Sequence, residues 1–349
     1  MKLLTILGAR PQFIKSAPLS HHLIKEGVEE VILHTGQHYD FEMDGVFFST
    51  LKLPTPRYRL THGGKSPTQM LSHMLQDIES ILLEEKPDFT LVYGDTTSTL
   101  AGALASSKLG IPIAHIEAGL RSFDMQMQEE INRILTDRIS KVLFCPTQRA
   151  VENLTHEGFS HFPCVIKNIG DIMLEASRLF SPLATAPKLS LQPRFVLSTI
   201  HRAEHSQKDL RTILEALDSI AHTTQVLLPL HPRHTGTIKP KDYPHITFSP
   251  PLGYLEMLWL LERTEAVITD SGGLQKESYF FGKPCLVLRE SSEWSELIEH
   301  GYNILVGSDK DKILRTFDTI SQICNTSYDQ HFYGKGDCAR EILQTLKAL

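Results

Sequence analysis

Ala266-Val267-Ile268-Thr269-Asp270-Ser271-Gly272-Gly273-Leu274-Gln275-Lys276-Glu277-Ser278 is the stretch on which the fold turns. An apolar run of strand length ends in Asp-Ser-Gly-Gly, and a helical pattern follows at once. Glycines admit close backbone approach, and the free N–H groups of a first helical turn point at an anion along the positive end of the helix dipole. Ser271, Gly272 and Gly273 therefore read as an anion site. Glu277, one turn on, reads as a carboxylate placed for a pair of sugar hydroxyls. Phosphate plus polyol points to a nucleotide or a nucleotide sugar.

The same strand–turn–helix pattern runs through the chain. Strand-length apolar runs fall at 3–7, 31–34, 89–93, 113–116, 142–144 and 165–166, with helical patterns at 17–26, 69–85, 99–109, 130–140 and 148–157 between them. The pattern restarts at 195–199 and continues with strands at 226–230, 246–248, 266–269, 285–288 and 304–306, and helices at 210–221, 255–263, 273–281 and 294–300. Such βαβ alternation predicts parallel sheets covered on both faces. The chain's 349 residues exceed one typical core. The expected fold is α/β, two doubly wound, Rossmann-like domains over 1–168 and 169–338, with a helix at 339–349 packing back on the first. Pro182, Pro187 and Pro193 mark a linker within about 165–194. Two such domains facing one another would bind ligands in a cleft at the carboxyl ends of their strands.

Composition narrows the function. Lys and Arg number 35 against 41 Asp and Glu, so there is no basic excess for nucleic acid or a membrane surface. No apolar run is long enough to span a bilayer, and the start lacks the pattern of a signal peptide. Five scattered cysteines without a CxxC pair fit reduced thiols, hence a cytoplasmic location. No HExxH or comparable spacing appears among the 17 histidines, so no metal is expected.

The remaining candidates lie just after strands. Gly8-Ala9-Arg10-Pro11-Gln12-Phe13-Ile14-Lys15 places Arg10 and Lys15 where they can neutralise phosphate, although a glycine turn also merely joins strand to helix. Asp95, in Gly94-Asp95-Thr96-Thr97, caps a helix as readily as it does chemistry. Glu117 emerges from an apolar strand next to His115, where burial would raise its pKa into an acid/base range. Glu129 opens a helix, as acidic residues commonly do. His201 and Arg202 follow the strand at 195–199, and His231 with Arg233 follows the next, a repeated His/Arg pairing suited to proton transfer and anion contact. Tyr254 either stacks on a base or packs.

Together the motifs GARPQFIK (8–15), TGQHYD (35–40), YGDTTSTLAG (93–102), HIEAGLRS (115–122), EEINR (129–133), HRAE (201–204), LHPR (230–233), TDSGGLQKE (269–277) and YGKG (333–336) resemble the non-hydrolysing UDP-N-acetylglucosamine 2-epimerases, in family order and over nearly the whole chain. The resemblance implies a GT-B-like fold and interconversion of UDP-GlcNAc and UDP-ManNAc for surface polysaccharide. The route it implies is elimination of UDP to a glycal, then re-addition. It implies catalytic or substrate-positioning roles for Arg10, Lys15, Asp95, Glu117, Glu129, His201 and Arg202. It implies UDP binding by His231, Ser271, Gly272, Gly273 and Glu277, and a second, activating UDP-sugar site at Gln37 and His38. A homodimer is implied, and no redox cofactor is signalled.

Three departures bear on the substrate. Gln128 stands where the family usually has proline, and His205 where asparagine is frequent. Gln12 replaces the glutamate of many members and, with Glu293-Trp294, suggests the branch acting on UDP-2,3-diacetamido or uronic sugars. A hydrolysing 2-epimerase and a GT-B glycosyltransferase are the competing readings. The Gly-Gln-His segment argues against the first, and three carboxylates at first-domain strand ends against the second.

Overall fold

A computed structural model describes residues 1–37, 48–201, 205–230, 234, 236–323 and 330–349. The chain divides into two compact units, Met1–Leu179 with Gln330–Leu349, and Phe180–Asp329.

Among the described residues the first unit carries a seven-stranded sheet. Its strands are β1 (Lys2–Leu7), β2 (Glu29–His34), β3 (Tyr58–Arg59), β4 (Phe89–Tyr93), β5 (Ile113–Ile116), β6 (Val142–Cys145) and β7 (Val165–Asn168). Their order is β3-β2-β1-β4-β5-β6-β7, with parallel pairing throughout. Leu4 pairs with Val31 on one side and Thr90 on the other. The strand order thus reverses between β1 and β4, the place where doubly wound sheets bind ligands. β1 and β4 are apolar nearly end to end because both sheet faces are covered. One face packs Leu4, Ile6, Val31, Leu33 and Val92 against Met74, Ile78 and Leu82 of the helix Pro67–Glu85.

The second unit repeats the plan with β8 (Phe195–Thr199), β9 (Gln225–Pro229), β10 (Thr247–Ser249), β11 (Ala266–Thr269), β12 (Cys285–Val287) and β13 (Asn303–Leu305). The order is β10-β9-β8-β11-β12-β13, again parallel, and it reverses between β8 and β11. Two apolar clusters sandwich this sheet. Ile213, Leu217 and Ile220 of the helix Gln207–Ala221 lie in one cluster, and Leu260, Leu261 and Leu274 in the other.

Several details differ from the sequence reading. The first helix is Arg10–Lys25, not 17–26. Pro11 fits its opening turn, and Pro18 is tolerated inside it. The division falls at 179/180 rather than 168/169, because the helix Ile172–Phe180 is anchored to the chain's end: Ala339 N–H donates to Glu175 at 2.8 Å and Cys338 Sγ to the Ile169 carbonyl at 3.1 Å. The returning segment begins at 330, and its helix Cys338–Lys347 packs on Arg10–Lys25. The short β3 and the helices Ile172–Phe180 and Lys310–Ile323 were not expected.

Candidate active site

In the first unit the residues flanking the order reversal are stitched by Gln12. Its side chain is buried and spans the gap: Oε1 accepts from the N–H groups of Gly8 (2.8 Å) and Ala9 (3.1 Å), and Nε2 donates to the Tyr93 carbonyl (2.8 Å). Thr96 and Thr99 hydroxyls lie 3.0 Å from Nε2. Gly8 is required by crowding. A Cβ there would sit 2.0 Å from Ser98 Oγ and 2.2 Å from Thr35 Oγ1.

Three ionic contacts surround this point. Lys15 and Glu117 form a mostly buried ion pair. A Cβ placed on Gly94 would lie 3.3 Å from Glu117 Oε2 and 3.5 Å from Lys15 Nζ, so both groups crowd the backbone next to Asp95. Glu117 takes φ +73°, a left-handed conformation that costs a side-chain-bearing residue energy and clusters at functional sites. Asp95 pairs with Arg133, and its carbonyl accepts from Asn132 Nδ2 at 2.8 Å. Behind them His115, fully buried, reaches the Gly94 carbonyl with Nε2 (2.7 Å) and Asp137 with Nδ1 (2.7 Å). Asp137 also accepts from Arg121 at 2.7 Å and from Gly119 N–H at 3.2 Å. Burial pushes the Asp137 carboxyl upward, but the His115 hydrogen bond and the Arg121 charge outweigh it and hold it below the usual range.

Of the predicted residues, Lys15, Asp95 and Glu117 come together at this point. Arg10 opens the adjacent helix. Glu129 is exposed on the first turn of Gln128–Ile139, four residues before Arg133 and so on the same helical face. Its neighbour Glu130 is the buried one, accepting from the N–H groups of Ser122 and Phe123 at 2.9 Å each and pairing with Arg133 at 2.9 Å. Gln37 Oε1 accepts from Ser98 N–H (3.0 Å) and Oγ (2.7 Å) in the first turn of Thr97–Lys108. His38 lies outside the described residues.

In the second unit Asp270, fully buried at the end of β11, crosses the order reversal and accepts from His201 N–H through both oxygens, at 3.0 and 2.9 Å. His205 Nε2 lies 3.2 Å from Asp270, and His201 Nδ1 3.5 Å. Ser271 caps the helix Gly272–Phe280, and its own N–H donates to Thr269 Oγ1 at 3.0 Å. Gly272 faces the loop after β12, where its Cβ would meet Glu293 Oε1 at 2.3 Å. Arg289 holds Glu293 at 2.7 Å, and Lys276 Nζ sits 4.2 Å above the Trp294 ring. Gly273 and Glu277 lie on the same helix, Glu277 buried. Tyr254 is buried edge-on to Phe180, a packing environment. Arg202 and His231 lie outside the described residues.

The first unit therefore gathers carboxylates and their cations where the second gathers backbone amides at a helix start. The family model described as UDP-N-acetylglucosamine 2-epimerase matches residues 22–347. The chain belongs to the UDP-N-acetylglucosamine 2-epimerase family. It is 49% identical, over the full length of both chains, to the UDP-2,3-diacetamido-2,3-dideoxy-D-glucuronate 2-epimerase of Pseudomonas aeruginosa. It is 46% identical to a UDP-N-acetylglucosamine 2-epimerase homolog of Methanococcus maripaludis, again over both full lengths. The crystal structure of Methanocaldococcus jannaschii UDP-GlcNAc 2-epimerase in complex with UDP-GlcNAc and UDP superposes with a TM-score of 0.91 at 37% identity, covering all of both chains. The protein is thus an isomerase of the UDP-sugar 2-epimerase family, built from two Rossmann-like units in a GT-B-like fold. No helix among the described residues is long and apolar enough to cross a membrane.

Asp137, Arg133, Glu130 and the two-sided role of Gln12 escaped the sequence reading. One signal was available: Glu130 and Arg133, three apart on a helix, are spaced to pair.

Proposed function

We propose that this epimerase acts on a UDP-2,3-diacetamido sugar, most specifically its uronic acid, rather than on UDP-GlcNAc, the reading the motifs first suggested. The observation that carries this is the end-to-end 49% identity to the P. aeruginosa enzyme of that specificity. Gln12 and Glu293-Trp294 agree with it. The second reading, UDP-GlcNAc, draws on the M. maripaludis and M. jannaschii relatives.

The proposed chemistry is elimination and re-addition. The C2 proton is removed while the C1–O bond breaks, UDP leaves, and the glycal takes a proton on the other face before UDP adds back. Glu117 and Asp95 are the proton-handling groups, with Glu129 and His201 assisting. Lys15 and Arg133, already paired with the first two, keep a charge partner beside each carboxylate. Arg10, Arg202, His231 and the amides at Ser271–Gly273 meet the diphosphate, whose charge grows as it leaves. Glu277 takes the ribose hydroxyls. Gln37 and His38 form a second UDP-sugar site. Gln37 already occupies Ser98 donors at a helix start, which an anionic ligand would compete for. A cytoplasmic homodimer supplying surface polysaccharide completes the reading.

The test is proton NMR in deuterated water with each sugar nucleotide in turn. The diacetamido uronate should be epimerised and the product should carry deuterium at C2. Turnover of UDP-GlcNAc alone would establish the second reading. Free sugar would mean hydrolysis, and retention of the C2 proton would rule out elimination.

A further inference from the structure

The sequence reading expected no metal site, yet one constellation in the second unit has the makings of one. Asp218 and His222 are four residues apart at the end of the helix Gln207–Ala221, and His222 keeps helical dihedrals, so both project from one face. His245, just before β10, faces them. One ligand atom from each of the three lies within 4.8 Å of the others.

The local geometry is tighter than chance proximity requires. His245 N–H donates to Asp218 Oδ1 at 3.0 Å, which fixes the carboxylate. Asp218 Oδ2 and His245 Nδ1 stand 3.1 Å apart. A tetrahedral zinc ion with bonds of about 2.0–2.1 Å spaces neighbouring ligands by roughly 3.3 Å. The rings of His222 and His245 lie 3.7 Å apart, centre to centre, at 37°. Both residues are exposed, so neither imidazole is forced into this position by core packing. The carbonyl end of the helix dipole also favours a cation here.

We propose that Asp218, His222 and His245 bind a divalent transition ion, Zn²⁺ by preference, with water as fourth ligand. Two imidazoles and a carboxylate suit this borderline ion, and a pair of ligands four apart on a helix plus a third from elsewhere is a spacing that holds it. His245 need only carry its proton on Nε2 instead of Nδ1. The site lies where a helix ends before β9 and a loop enters β10, the amino ends of parallel strands. His201 and Ser271 follow the carboxyl ends of β8 and β11. The ion is therefore a clip joining the helix to the edge strand, not part of the epimerase chemistry.

The test is titration of tag-free, chelator-stripped protein with Zn²⁺ against a chromophoric chelator, for the wild type and for D218N, H222N and H245N. The wild type should take up one Zn²⁺ with a matching rise in melting temperature. Each variant should bind ~100-fold more weakly or worse, and epimerase turnover should be unchanged. Affinity unaltered in D218N and H245N would mean adventitious binding by other histidines and would overturn the site. Co²⁺ gives a check on the wild type alone: the intense visible absorption of a tetrahedral site is expected, and the weak spectrum of an octahedral aquo-ion contradicts it.

Discussion

In the first unit the loops after β1, β4 and β5 carry paired charges, whereas in the second the loops after β8 and β11 meet through one buried carboxylate, Asp270, that accepts from the His201 N–H and lies beside the His201 and His205 imidazoles. The strand orders around the two reversals are the same. Lys15–Glu117, Asp95–Arg133 and His115–Asp137–Arg121 cluster beside the first reversal, while at the second Asp270 meets the His201 N–H and the imidazoles of His201 and His205, and the Arg289–Glu293 pair lies beside the helix start. A topology that delivers loops to one place leaves the chemistry of that place to a handful of side chains. Carboxylates beside cations suit proton transfer, and amides at a glycine-opened helix suit a diphosphate.

Replacing each buried carboxylate by its amide probes this contrast. Asp137→Asn should destabilise the protein most, by about 3 kcal/mol, because buried His115 loses its anion and Arg121 keeps only its pairing with Glu157. The loss should depend on pH. The native Asp137 carboxyl titrates below the unfolded one, so its stabilisation is present above about pH 4 and disappears as pH falls through the native value. Thermal melts should therefore show wild type and variant converging in acid; a gap constant from pH 7 to 3 would deny the charge argument. Asp270→Asn should cost less, about 1–3 kcal/mol by urea unfolding, since an amide oxygen still accepts from His201 N–H. An equal or larger loss than for Asp137→Asn would erase the contrast. Gln12→Glu should cost least, about 1 kcal/mol. The buried carboxyl keeps an acceptor for Gly8 and Ala9 and must hold a proton to replace the amide as donor to the Tyr93 carbonyl, since an ionised oxygen there would repel that carbonyl. A stabilised variant would show that this stitch is not held by the amide.

Much of this contrast was legible before any coordinates. The strands bearing site loops are apolar runs ending in Gly, Asp, Glu or His, and period alone located β1, β4, β5, β8 and β11. What escaped was set by tertiary context. Tyr58–Arg59 pairs only because β2 offers an edge, and no apolar run marks it. The helix expected at 17–26 opens a turn and more earlier, at Arg10, and runs on through Pro18. Glu129 and Glu130 are adjacent in sequence, and only the packing of Ser122 and Phe123 decides which is buried. Asp137 and Arg121 meet from a helix and a loop sixteen residues apart, beyond what periodicity can report.

The most direct test of the division of labour is Glu117→Gln, measured for turnover and for UDP affinity in the same preparation. Turnover should fall by about 10³-fold while the UDP Kd stays within about twofold. Turnover near wild type, or a UDP Kd that rises in step with the lost turnover, would contradict the assignment of proton transfer to the first unit and UDP to the second.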